Sequence, residues 1–298
     1  MTYAAPIEPA LAEAASFTES TLEALLPQAA GPEARVIEAM RYATLGGGKR
    51  LRAFLVLQSG RLFGVDRRAL GRVAAAVECL HAYSLTHDDL PAMDNDETRR
   101  GKPSLHKAFD EATAILAGDA LLTLAFGLIS SPEAHGDPFV RCELITRLAQ
   151  AAGYAGMVGG QMMDLAFEGQ TPPLPEITRL QRMKTATLFS FCCEAGAIMG
   201  KSSPSARASL AAFGLDLGLA FQIADDLLDL EGDAGEMGKP TGRDKTRKKA
   251  TVVSSLGTER ARSQAEALAS QAPRHLDLFD EKADLLRATA RFAVTRRA

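Results

Sequence analysis

Apolar residues recur at helical spacing along almost the whole of this chain, and the strict alternation of a half-buried strand is scarce. That feature restricts the fold more than any other, because a chain with a 3.6-residue apolar stripe nearly everywhere must pack helix on helix. The spacing predicts helices over roughly 8–26, 33–45, 50–63, 67–89, 110–130, 138–151, 154–168, 175–200, 204–230, 258–271 and 278–295. Their breaks fall at turn-forming residues: Gly31-Pro32, Gly46-Gly47-Gly48, Pro132 to Pro138, and Pro172 to Pro175. No low-complexity tract divides the chain, so residues 1–298 read as one all-α domain whose more apolar helices are central.

Two of these helices run into acid. In HDDLPAMDNDETRR, residues 87–100, Asp88, Asp89, Asp94, Asp96 and Glu97 repel one another at neutral pH, and two arginines follow at once. Pro91 disfavours helical geometry at Leu90, so the helix ends or bends there and Asp94 comes from the turn beyond it. Asp88 and Asp94 can then point into one opening. In FQIADDLLDLEGD, residues 221–233, Asp225 and Asp229 are four apart and share a face, with Asp226 about 100° round the helix. Like charges on an apolar helix destabilise it unless a cation binds. No His or Cys stands at ligand spacing beside them, which disfavours zinc, and no calcium-loop pattern is present. Carboxylate oxygens alone suit magnesium or manganese, and magnesium takes one or two of them and completes its shell with water and substrate phosphates. The two clusters echo each other: Asp88-Asp89-Leu90 and Asp225-Asp226-Leu227 are each followed, thirteen residues on from the first Asp, by Gly-Lys-Pro.

A polyphosphate also needs fixed cations. Arg99 and Arg100 follow the first acids, and GGGKRLR at 46–52 sets Lys49, Arg50 and Arg52 at a glycine-led helix start, where backbone N–H groups favour an anion. A third basic stretch, GKPTGRDKTRKK at 238–249, lies behind the second acids. Lys184-Thr185 sits inside the helix at 175–200, Gln222 on the helix of Asp225, and His81 two turns before Asp88 on the same face. The net charge of −3 is too near neutral for bulk attraction to nucleic acid or membrane, so phosphate chemistry must come from these local clusters. The four cysteines form no metal-binding spacing, and the adjacent Cys192 and Cys193 read as buried small apolar residues. The N-terminal residues lack a basic start, and Asp119 and Glu194 interrupt the most apolar runs, so the expected setting is a reducing cytoplasm with no stable membrane insertion.

Taken together, GGGKRLRA at 46–53, DDxxxxD at 88–94 with DxxRRG at 96–101, KT at 184–185, FQxxDDxLD at 221–229 and GKxxGxD at 238–244 make the chain resemble the trans-prenyltransferases, the short-chain polyprenyl diphosphate synthases. The bacterial farnesyl diphosphate synthases are the branch it most resembles. The resemblance spans nearly the whole chain. It implies an isoprenoid-synthase-type helical bundle around a deep central cavity, usually homodimeric, that condenses isopentenyl diphosphate with an allylic diphosphate. It also implies Mg2+ ions held by Asp88 and Asp94 on one side and Asp225 on the other. Asp89, Asp226 and Asp229 belong to the same motifs. By the same resemblance Arg99, Lys184, Thr185, Gln222, Lys239 and Lys249 contact the allylic substrate, and Lys49, Arg52, His81 and Arg100 the isopentenyl diphosphate. The stretch after Lys249 departs from the pattern: many relatives carry a Tyr two or three residues on, and this chain reads ATVVSSLG.

Product length follows from helix geometry. A tail growing away from the acids runs along their helix, and Tyr83, five residues before Asp88, lies about 7.5 Å along its axis, with Ser84 beside it. A ring there can floor the cavity, and an aromatic at this position resembles the C15-forming pattern, with geranylgeranyl (C20) or C10 synthesis as the alternatives. A terpene cyclase would not need the GGGKR and Arg100 set, and a non-catalytic partner subunit would be expected to lose one acid cluster.

Overall fold

The computed structural model describes residues 7–231 and 249–296. It divides into two compact units, one of Glu8–Leu57 with Asp66–Ile145, the other of Met1–Ile7, Gln58–Val65 and Thr146–Ala298. We call them the N-terminal and C-terminal units.

The N-terminal unit is built on α1 (Ile7–Leu25), α2 (Ala34–Thr44), the start of α3 (Leu51–Arg61) and α4 (Arg67–Asp88). A two-residue hairpin follows, β1 (Thr98–Arg99) and β2 (Lys102–Pro103), then the short α5 (Leu105–Ala108) and α6 (Glu111–Ser130). Asp66 starts α4 by accepting hydrogen bonds from the Arg68 and Ala69 amides. The apolar run of α4, with Leu70, Val73, Val77 and Leu80 buried, packs against α6, and α2 touches both. Inside this unit Arg50 is buried and donates to Glu78 at 3.0 Å and to Glu19 at 2.7 Å, while the Glu78 carboxylate also accepts from the Ala53 amide. Arg50 therefore ties the start of α3 to α4 and α1.

The C-terminal unit receives the end of α7 (Pro138–Ala152) and continues with α8 (Met157–Ala166), α9 (Leu174–Gln181) and α10 (Thr187–Met199). Between α9 and α10 the chain makes one π-helical turn, Arg182–Ala186. Next come the long α11 (Pro204–Glu231), α12 (Val252–Leu256), α13 (Thr258–Gln271), two 3₁₀ turns at Ala272–Leu276 and Glu281–Ala283, and α14 (Asp284–Thr295). Helix α11 packs against α10, the π turn, α13 and α14, and buries Leu210, Phe213, Leu217, Ile223 and Leu227. Both α6 and α11 are long and apolar enough to cross a membrane, but each has a share of its apolar window buried within the protein.

The all-α class expected from periodicity is what the chain adopts, and the helix ends lie within a few residues of their expected positions. Three departures bear on function. The helix predicted over 175–200 is interrupted by the π turn, the hairpin at 98–103 was not expected, and α12 follows Lys249 where no helix was predicted.

Candidate active site

In the N-terminal unit the acids are gathered by a turn that folds back on the helix. Asp88 is the last residue of α4 and Asp89 caps it. The Asp94 amide then donates to the Asp88 carbonyl at 2.8 Å and the Asp96 amide to the Asp89 carbonyl at 3.1 Å, with Asn95 in the left-handed region at φ 51°. Asp94 thus returns to the helix end, as the proline predicted. The hairpin that follows turns through Arg100 and Gly101, with φ of 53° and 73°, the pair of positive values that a type I′ turn demands. Glycine takes that conformation freely, whereas for Arg100 it costs about 1 kcal/mol.

The hairpin sends its two arginines to different partners. Arg99 grips Asp89, with Nε donating to Oδ1 at 3.1 Å and Oδ2 at 3.2 Å and Nη2 closing on Oδ1, and Nη2 also reaches Asp96 at 3.3 Å. Arg100 Nη1 donates to the Gly47 carbonyl at 2.6 Å, over the glycine turn that precedes Lys49. Asp89, read from the sequence among the metal-holding acids, therefore has both oxygens engaged by Arg99 and is buried. Here it acts as the counter-ion that orients a cation.

His81, on α4, lies 3.3 Å through Nε2 from Nη1 of Arg52. A guanidinium can only donate, so Nε2 accepts and the ring proton is on Nδ1. Burial first, then the charges of Arg52, Arg100, Arg99 and Arg50, hold this histidine well below the ordinary imidazole range. A neutral ring inside a crowd of guanidinium groups marks a pocket of positive potential, the environment a diphosphate needs. Of the basic run at 49–52, Lys49 and Arg52 were read as substrate groups, and Arg50 is the structural cation described above. Tyr83 sits half-buried on α4 with its ring edge-on to that of His87, centroids 5.0 Å apart, and Ser84 Oγ donates to the His81 carbonyl at 2.9 Å.

In the C-terminal unit the π turn carries Lys184 and Thr185. Thr185 Oγ1 donates to Gln222 Oε1 at 2.6 Å, and Gln222 Nε2 donates in turn to Asp226 Oδ1 at 2.8 Å. Gln181 Nε2 donates to the other oxygen, Asp226 Oδ2, at 2.8 Å. Asp226 is thereby held by two amides. Asp225 keeps 40% of its side chain exposed and accepts from Arg296 at 3.3 Å, and the Arg296 guanidinium lies 3.7 Å over the Phe221 ring. Asp229 is buried and lines a cavity of about 430 Å³ with Asp226, Lys249 and Gln170. The network depends on close packing at Gly218, where a Cβ would come within 2.6 Å of Ala186 Cα, in the π turn itself.

Two residues here escaped the sequence reading. Gln181 offered no signal beyond lying three residues before Lys184. Asp164, on α8, accepts from Lys184 Nζ at 2.5 Å and lies 3.6 Å from Lys249 Nζ. A lone Asp in GGQMMDLAF has no acidic neighbour to draw attention to it. Lys239, with Gly238, Pro240 and the rest of the stretch to residue 248, and Arg297 lie outside the described residues.

Among the described residues no three acids, histidines or cysteines form a ready-made metal cage. Magnesium does not require one, since substrate oxygens supply part of its shell. Asp88, Asp94, Asp225 and Asp229 carry the carboxylate oxygens that suit such an ion, and Asp225 also pairs with Arg296.

Helices that carry acids this way, backed by oriented arginines and lysines, fit the class to which the relatives point: a prenyltransferase. The chain belongs to the polyprenyl synthetase family, whose profile matches residues 33–285. It is 45% identical over 268 residues to a farnesyl diphosphate synthase of Escherichia coli, covering 88% of this chain and 89% of that one. Among solved structures it is similar to an FPP/GFPP synthase from Zymomonas mobilis in its apo form, with a TM-score of 0.87, 51% identity, and coverage of 97% and 99%. It is similar also to a geranyltransferase from Helicobacter pylori complexed with magnesium and isoprenyl diphosphate, with a TM-score of 0.85, 33% identity, and coverage of 99% and 98%.

Proposed function

We propose that this enzyme condenses isopentenyl diphosphate with dimethylallyl and then geranyl diphosphate to give farnesyl diphosphate. The observation that carries the reading is the neutral His81 among four guanidinium groups beside the acidic end of α4. Family membership and the similarity to farnesyl diphosphate synthases support the reaction and the C15 product. The geranyltransferase bound to magnesium and isoprenyl diphosphate supports the metal.

Asp88, Asp94, Asp225 and Asp229 would hold Mg2+, which when bound accepts part of the negative charge that grows on the leaving diphosphate. Arg99, Lys184, Lys249 and the Thr185–Gln222 pair bind the allylic diphosphate, and Lys239 joins them in this reading. Lys49, Arg52, Arg100 and His81 bind the isopentenyl diphosphate. The neutral His81 ring offers its Nδ1 proton as a hydrogen-bond donor without adding charge. The C1–O bond of the allylic substrate breaks to leave an allylic cation. The isopentenyl double bond then attacks C1, and a proton leaves to the departed diphosphate. Apolar surroundings keep water from the cation. The chain works as a homodimer in the cytoplasm.

The direct test is product analysis with and without magnesium, using isopentenyl diphosphate and geranyl diphosphate and sizing the dephosphorylated alcohols. A magnesium-dependent C15 alcohol is expected. Asp88→Ala should cut turnover by orders of magnitude while leaving the helical circular dichroism unchanged, and near-normal turnover in that variant would sink the acid assignment.

A further inference from the structure

Asp164 is buried at 6% exposure on α8, and two ammonium groups from separate parts of the C-terminal unit approach one of its oxygens: Lys184 at 2.5 Å and Lys249 at 3.6 Å from Oδ2. Lys184 comes from the π turn and Lys249 from the segment before α12. Helix α8 is shaped to bring this about. Gly160, one turn before Asp164 on the same face, lies so close to the π turn that a Cβ there would come within 2.6 Å of Lys184 Cα. The carboxylate is thus attached to the surface on which the lysine backbone rests, and it cannot follow the lysines if they move. Burial raises the Asp164 carboxyl, but the charges of Lys184 and Lys249 outweigh it and hold the group below the ordinary carboxylate range.

We propose that Asp164 is a positioning residue for the allylic diphosphate, holding Lys184 and Lys249 together as one charged pair. This rests on the assignment of those lysines to that substrate. Two ammonium groups drawn to one carboxylate oxygen repel each other, so an unheld pair separates. With the carboxylate beside both, the pair is held in place and the three groups carry one net positive charge for the phosphate. The opposite effect has to be weighed: removing an anion also strengthens the local positive field. The geometry favours loss of position, because the lysines reach the site from unconnected segments and converge on the same carboxylate oxygen.

The test compares Asp164→Asn and Asp164→Glu with the wild type, following steady-state kinetics and the binding of inorganic diphosphate with magnesium by calorimetry. Asp164→Asn should raise KM for geranyl diphosphate about tenfold or more and weaken inorganic diphosphate binding alike, while KM for isopentenyl diphosphate moves less than about twofold. Asp164→Glu, which restores the charge, should recover most of the loss. In a chain already carrying Lys184→Met, Asp164→Asn should cost less than it does alone. Tighter diphosphate binding in Asp164→Asn would overturn the proposal and make Asp164 a placeholder for the absent anion. Equal rises in both KM values, with no rescue by Glu, would reduce it to a fold-stabilising residue. A wild-type chain that binds no diphosphate would overturn the underlying functional reading as well, which keeps the two failures apart.

Discussion

At the scale of single residues, the same side-chain chemistry serves opposite purposes depending on burial. Arg50 and Arg52 are two positions apart, yet Arg50 is turned into the protein onto Glu78 and Glu19, and Arg52 meets the neutral His81. Side chains of Arg50 and Glu78 are 3% and 2% exposed, so Glu78→Ala would remove the buried member of the two carboxylates that hold the Arg50 guanidinium. That variant should lose about 3 kcal/mol of stability, read from urea denaturation. His81 gives a pH signature. Its folded form resists protonation while the unfolded form takes up a proton near pH 6.5, so it contributes a loss of stability as pH falls through that value. His81→Gln should show a smaller drop in denaturation midpoint between pH 7.5 and 5.5 than the wild type, about those limits. Tyr83→Ala removes the ring expected to floor the product cavity. Its dephosphorylated products should shift from C15 toward C20, and an unchanged C15 product would show that another group sets the length.

At the scale of elements, two local irregularities orient the charged groups. The hairpin at 98–103 separates Arg99 and Arg100 onto different partners, and the π turn at 182–186 presents Lys184 and Thr185 toward α8 and α11. A π turn inserted in a helix often marks a functional position, because the added residue changes which side chains share a face. Its contact with α11 rests on Gly218. Gly218→Ala should push the two backbones apart, cost about 1–3 kcal/mol and raise KM for geranyl diphosphate through the Thr185–Gln222 bond. A melting temperature and KM both within error of wild type would show that the close approach is dispensable. Neither irregularity was legible beforehand. RRG is not a common I′ turn sequence, and the 175–200 segment keeps an unbroken apolar pattern through the π turn.

At the scale of the whole molecule, helices that are apolar on much of their surface hold the acids where isolated helices could not. Helix α11 tolerates Asp225, Asp226 and Asp229 in two turns because Gln181 and Gln222 satisfy one of them and Arg296 pairs with another. Light scattering on the purified chain should give the mass of a homodimer, and a monomer at working concentration would remove that part of the reading.

The amino-acid order by itself determined the all-α class, nearly every long helix, the helix end at Pro91 and the acids, arginines and lysines that carry diphosphate chemistry, because periodicity, turn residues and charge clusters are local properties. It could not assign partners. That Asp89 would be engaged by Arg99, that Asp226 would be held by Gln181, and that a solitary Asp164 would join Lys184 to Lys249 follow from segments 10 to 85 residues apart meeting in space. Which cation or amide each carboxylate meets is decided there, since an acid's surroundings depend on the groups that packing brings to it.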